Sequence, residues 1–259
     1  MAIFNFFNRP HPTGYWYAGR DEARALTPGM RLKNARSGPP WRVIDRQLSS
    51  TIVTAKSWPG RLWRARVIKM GDMSGLVAEP GYWRASEIEL LEELPVGMLF
   101  GSHGDEIVAL LEQISRLTPV QAAQLQAGLP EDAHRIWLRA WANWNSRLPF
   151  SRPEDNDDDS LTLGWPGHHD KNLSPVGRGF MLMYDAIWQR ARETEGASAF
   201  EQYTEAGEAE EKMTPKWSAA AHALAYRAMA VAECEHLSGE EYARLSESWS
   251  AVFAMKTGA

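Results

Sequence analysis

The chain has 259 residues, 44% of them hydrophobic and 24% charged, with a formal net charge of −5. That composition belongs to a folded globular protein and excludes a disordered one; the length suits one large domain or two modest ones. No apolar run reaches the roughly 18 residues a membrane span needs, and the short apolar start, Met1 to Phe7, lacks the basic lead and long apolar core of a secretory signal.

A single cysteine, Cys234, rules out a disulfide within this sequence and a cysteine-based zinc site. Its helical surroundings predict a small buried residue rather than a reactive thiol, and the protein is expected to be cytoplasmic. The charge is unevenly placed. Residues 1–80 carry 13 Lys+Arg against 5 Asp+Glu, a net of +8; the remainder carries 15 against 28, a net of −13. Such asymmetry points to polyanion contact by the basic part, or to attraction between the two parts.

Residues 1–26 read as an irregular lead-in, with Pro10, Pro12, Gly14 and Gly19 flanking the aromatic cluster Tyr15-Trp16-Tyr17. The cluster suits a cap on whatever follows. Residues 27–94 carry three short runs rich in β-branched and aromatic residues: Trp41 to Asp45, Thr51 to Lys56 and Arg61 to Ile68. These predict strands. Turn signals separate them at Ser37-Gly38-Pro39-Pro40, Ser49-Ser50 and Trp58-Pro59-Gly60. In the third run Arg61, Trp63, Ala65 and Val67 share one face, and Leu62, Arg64, Arg66 and Ile68 the other, which predicts a mixed surface. Leu32, the Ser-Gly-Pro turn into Trp41-Arg42-Val43-Ile44-Asp45, a hairpin, and a closing run from Trp83 to Leu90 together resemble an SH3-like barrel over residues 27–94. The resemblance implies an architecture and carries no functional residue with it.

At Leu94-Pro95-Val96-Gly97 the pattern breaks, and its period changes from two to 3.6. Residues 95–148 predict a first helical section. Ile107, Leu110, Leu111 and Ile114 mark one helix. Thr118-Pro119 starts a second, which stops at Gly128. A third carries Trp137, Trp141 and Trp144 on one stripe, read as a core seam. Residues 149–176 predict an acidic loop or linker. Asp155, Asp157 and Asp159 alternate like the front of a calcium loop, but Ser160 and Pro166 stand where that loop needs Gly and Glu. His168, His169 and Asp170 are metal-competent donors without a third spaced ligand, and so weak metal candidates.

Residues 177–259 predict a second helical section. A stripe runs from Phe180 to Ala191, and the acidic stretch 196–212 reads as a helix weakened by Gly196 and Gly207. Thr214-Pro215 opens an Ala-rich helix from Trp217 to His236, expected to be central because small residues admit close neighbours. Ser238 and Glu241 form a capping box before the last helix. The predicted class is therefore α+β: a small N-terminal SH3-like barrel followed by a larger all-α helical bundle.

No phosphate-loop, dinucleotide, nucleophile-elbow or zinc-protease motif occurs. The leading expectation is a non-catalytic binding protein without a cofactor. Its barrel would contact nucleic acid or another polyanion through Arg42, Arg46, Lys56, Arg61, Arg64 and Arg66, with Trp58 and Trp63 as stacking surfaces. Its helical domain would hold a protein partner or a second copy. The alternatives are an adaptor or assembly component, of a phage or other mobile element, with no nucleic-acid role, and a metal-assisted enzyme centred near Trp165 to Asp170.

Overall fold

A computed structural model describes residues 11–23, 25–35, 38–74, 81–146, 180–205 and 208–253. The acidic run 154–160 and the donors His168, His169 and Asp170 lie outside the described residues.

The first unit is a closed antiparallel barrel. Its strands are β1 (Thr13–Ala18), β2 (Arg31–Lys33), β3 (Arg42–Asp45), β4 (Arg61–Met70) and β5 (Tyr82–Leu94). Strand β5 pairs with β3, β3 with β1, β1 with β4, and β4 again with β5, while β2 joins the outside edge of β5. The alternation predicted for β4 is observed. Trp63, Ala65 and Val67 point into the barrel, and Arg64, Arg66 and Ile68 point out. Inside, Trp16 and Trp63 face each other across β1 and β4 and pack with Ile44, Ala85, Ile88 and Leu90.

The barrel begins earlier than the sequence reading placed it. Tyr15-Trp16-Tyr17 is not a cap on an irregular lead-in but the middle of β1. Gly14 hides the signal, and the structure shows its use. A Cβ there would lie 2.3 Å from the Asp45 carbonyl oxygen, so glycine lets β1 come flush against β3. The ring closes at that point, through the pair Tyr15↔Asp45.

The run Thr51 to Lys56 is not a strand. Residues Leu48–Thr54 form helix α1. Leu48, Ile52 and Ala55 stand at i, i+4 and i+7, a helical spacing that buries one face. Strand propensity reflects fit to a half-buried pleated surface, and it yields when packing offers another solution.

Beyond β5 the chain passes through tight turns at Val96–His103 into α2 (Gly104–Ile114), α3 (Pro119–Ala127) and α4 (Ala133–Ser146). Then come α5 (Phe180–Glu195), α6 (Pro215–Ala232) and α7 (Gly239–Phe253). Two of the predicted helix starts carry side-chain caps, while Thr214 at the start of α6 makes none. Thr118 and Gln121 form a reciprocal box at α3, and Ser238 and Glu241 another at α7. Helix α6 is central as expected: it packs on α2, α3, α4, α5 and α7. Its Trp217, Ala220, Ala221, Leu224 and Ala228 lie in the core. Trp137 of α4 is buried against Tyr226 and Met229 of α6.

The helical part is not all-α. Acidic residues 200–213 form a hairpin of β6 (Phe200–Glu205) and β7 (Glu208–Met213) instead of a helix. Gly196, at φ +59°, ends the helical path after Glu195. Cross-strand pairs then hold the ribbon: Tyr203 donates to Glu210 at 2.7 Å, Gln202 donates to Glu211 at 2.7 Å, and Lys212 pairs with Glu201 at 3.3 Å. Among its described side chains, only Phe200 and Met213, at its base, are buried in the core.

Barrel and helices share one core. Tyr17 and Leu62, on the outside of β1 and β4, pack with Ile52, Ala55 and Trp58 against Leu99, Phe100 and the helices. Polar ties cross the same seam: the Ser57 amide donates to Asp185 at 3.0 Å, and Arg20 pairs with Glu193.

Candidate polyanion-binding surface

The predicted site has eight residues, and the barrel sorts them into three groups. The two tryptophans go inside. Trp63 is fully buried in the barrel, and Trp58, 8% exposed, packs in the core between barrel and helices. Neither offers a face to a base, so both are removed as stacking surfaces. The physical reason is register: Trp63 shares its strand face with Ala65 and Val67, and that face is the interior. Its indole N–H finds no hydrogen-bond acceptor among the described residues.

Three arginines turn back to the protein. Arg61 forks onto Glu93, its Nε donating to Oε1 at 2.6 Å, and it also donates to the carbonyls of Ala23 and Leu26. The fork holds the Glu93 carboxyl below the usual glutamate range and raises Arg61 further. Arg66 donates to Glu89 at 3.0 Å. Arg42 donates to Asn34 Oδ1 at 2.5 Å, lies 4.0 Å from Glu22, and stacks at the rim over Trp16.

Three cations remain without a carboxylate partner among the described residues: Arg46, Lys56 and Arg64. Arg46 lies over the Trp83 ring at 4.9 Å, and Arg64 over the Tyr15 ring at 4.8 Å. Strand pairing sets them on different faces of the barrel wall: Arg64 and Tyr15 are outside, whereas Trp83 lies opposite Ile44 and packs against the barrel core. Arg64 is opposite Tyr15, Tyr15 is opposite Asp45, and Arg46 is the next residue. Arginine on an aromatic face keeps its N–H edges free for an anion while the ring fixes its plane. Lys56 is exposed and stands apart, beyond α1, with its carbonyl against Gly19.

The positive balance also shrinks with the proper boundary. Residues 81–94 add Arg84 but four glutamates, Glu87, Glu89, Glu92 and Glu93. Residues 1–94 thus hold 14 basic against 9 acidic residues, a net of +5 rather than +8. Sequence reasoning missed both Tyr15 and Trp83 as arginine platforms, and the β5 glutamates as partners. The readable signal was a basic run followed by an acidic run at hairpin spacing.

A second group of ionisable side chains sits between α4 and α6. The His134 Nδ1 is 3.1 Å from the Tyr226 hydroxyl, and the His222 ring stacks on Tyr226 with centroids 6.1 Å apart. Burial pushes the Tyr226 phenol up to about 12. Burial first, and the nearby His134 second, push His222 below its ordinary value. Among the described residues no group of three or more His, Cys, Asp or Glu side chains could hold a metal ion, and no helix is long and apolar enough to cross a membrane.

No protein-family model matches the chain, and no curated protein or solved structure matches it. Any functional reading therefore rests on the geometry above.

Proposed function

We propose that this is a non-catalytic binding protein that holds a polyanion, such as single-stranded nucleic acid, through its N-terminal barrel. The observation that carries the reading is the pair of aromatic-backed arginines, Arg64 on Tyr15 and Arg46 on Trp83, neither paired to a carboxylate among the described residues. Lys56 supplies a third, more distant positive charge. Arg42, Arg61 and Arg66 hold the barrel together and take little part. The small closed barrel is in keeping with an SH3-like architecture, extended by β1 to Thr13. The helical part, fused to it by a shared core, serves as the rigid body on which a protein partner or second copy would dock.

The test is fluorescence anisotropy of a labelled oligonucleotide, with a heparin fragment as the second polyanion. R46A/R64A weakens binding to both; R61A and R66A leave it within about twofold. Equal loss in all three variants, or no binding by the wild type at low salt, removes the proposal.

A further inference from the structure

We infer that the free edge of β7 takes up a basic, extended segment of a partner protein as a third, antiparallel strand. The inference involves no residue of the barrel and stands apart from the polyanion reading.

The ladder fixes which backbone groups are open. At the base of the ribbon the Thr214 amide donates to the Ala199 carbonyl at 2.9 Å. Antiparallel pairs alternate between those that exchange hydrogen bonds and those that do not. Counting outward from Ala199 and Thr214, the bonded pairs are Glu201↔Lys212, Tyr203↔Glu210 and Glu205↔Glu208. Ala209 and Glu211 fall between them, so their N–H and C=O groups turn away from β6. Neither finds another backbone partner among the described residues, where this sheet has two strands and no third. A row of open groups of this kind is a template for one more strand. The ribbon also gains by it. Two strands held only at their base are marginal in water, and a third stabilises them.

The side chains select the strand. Glu208 and Glu210 are exposed and stand two apart on one face of β7. Neither has a cation beside it among the described residues, and Glu210 accepts only from the Tyr203 hydroxyl. Glu201 and Glu211, by contrast, are matched by Lys212 and Arg192. A strand laid along β7 sets its own side chains directly opposite Glu208 and Glu210. Lys or Arg at two positions spaced i and i+2 meets both carboxylates. The residue between them lies opposite Ala209, a small side chain that leaves room for an apolar one. A second copy's β7 would bring glutamate against glutamate, which charge disfavours. The β6 edge lacks the unmatched pair, since Glu201 is already taken. Charge on an edge strand commonly serves to keep other strands away. Here it repels acidic and like strands and leaves the edge open to a basic one.

The same geometry dictates which amides of the added strand matter. In an antiparallel pair the residue opposite Ala209 exchanges hydrogen bonds with it, while the two basic residues turn their amides outward. The full chain is therefore titrated at low salt, by fluorescence anisotropy, with a short labelled peptide of alternating Lys and Val. Two further peptides carry the same charge, one N-methylated at every Val and one at every Lys. The plain peptide binds. Methylation at Val weakens binding at least about tenfold, because it removes the donors that face β7; methylation at Lys changes it by no more than a few-fold. E208Q/E210Q, at two exposed positions, weakens the plain peptide about tenfold. No binding of the plain peptide by the wild type overturns the inference. So does equal binding of the two methylated peptides, which would make the contact one of charge alone. Binding by E208Q/E210Q equal to the wild type overturns it as well.

Discussion

Salt dependence of nucleic-acid binding decides how many of the six predicted cations work on a ligand. For a single strand, log K falls with log salt with a slope of about −0.7 per phosphate neutralised. If all six reached phosphates, the slope would be about −4.2, and raising salt from about 50 to 200 mM would weaken binding roughly 340-fold. The structure removes Arg42, Arg61 and Arg66 by pairing them within the protein. Three cations remain, so the slope is about −2.1 and the loss about 18-fold. Anisotropy titrations of a labelled oligonucleotide at four salt concentrations separate these values easily. Two variants sharpen the result. R46A/R64A lowers the slope to about −0.7, whereas E89Q/E93Q frees Arg66 and Arg61 and raises it to about −3.5. A wild-type slope near −4 would show that the internal pairs give way to the ligand and would refute the present reasoning.

Other outcomes follow from the same packing. Trp63→Ala removes one of the two tryptophans of the barrel core and costs about 3–5 kcal/mol, read from the denaturant midpoint; a change below about 1 kcal/mol would place Trp63 outside the core. Gly14→Ala puts a methyl against the Asp45 carbonyl and costs about 1–3 kcal/mol, visible as a lower thermal midpoint. Glu93→Gln, in an exposed ion pair, shifts stability by less than about 1 kcal/mol in the same assay. Below pH 6.5 the stability of the protein declines through His222. Its folded value is lowered, so the unfolded chain takes up a proton first; the contribution is complete above the unfolded value and is lost as pH falls towards the folded one. Chemical denaturation at pH 7.5 and 5.5 shows a smaller drop for H222Q than for the wild type, and an equal drop would exclude His222 as the cause.

Much of the fold is legible in the residues. Strand β4 announces itself by alternation, and helices α3 and α7 by their Thr118 and Ser238 boxes, because these signals depend on neighbours in sequence. The misreadings share a cause: local composition was weighed before spacing. Helix α1 looks like a strand by its threonines, valine and isoleucine, yet Leu48, Ile52 and Ala55 carry the helical interval. The β6–β7 ribbon looks helical by its alanines and glutamates; its cross-strand partners, such as Tyr203 and Glu210, become visible only once the turn between them is known. Strand β1 is masked by Gly14, whose reason is a close approach to Asp45, more than thirty residues away.

The candidate site was legible only in part, for a related reason. A charge count over a segment treats every arginine as available, and its value depends on where the segment ends. Ending at residue 80 cuts the β4–β5 hairpin between its basic and acidic strands. In the fold those strands lie side by side, and Arg61 with Glu93 and Arg66 with Glu89 become internal pairs. Arg64 lies opposite Glu92 in the same ladder, but its guanidinium turns to Tyr15 instead. An aromatic ring alone does not keep an arginine available, for Arg61 lies 4.8 Å from the Trp63 ring centroid and is still forked onto Glu93; what sets Arg46 and Arg64 apart is that no carboxylate among the described residues pairs with them.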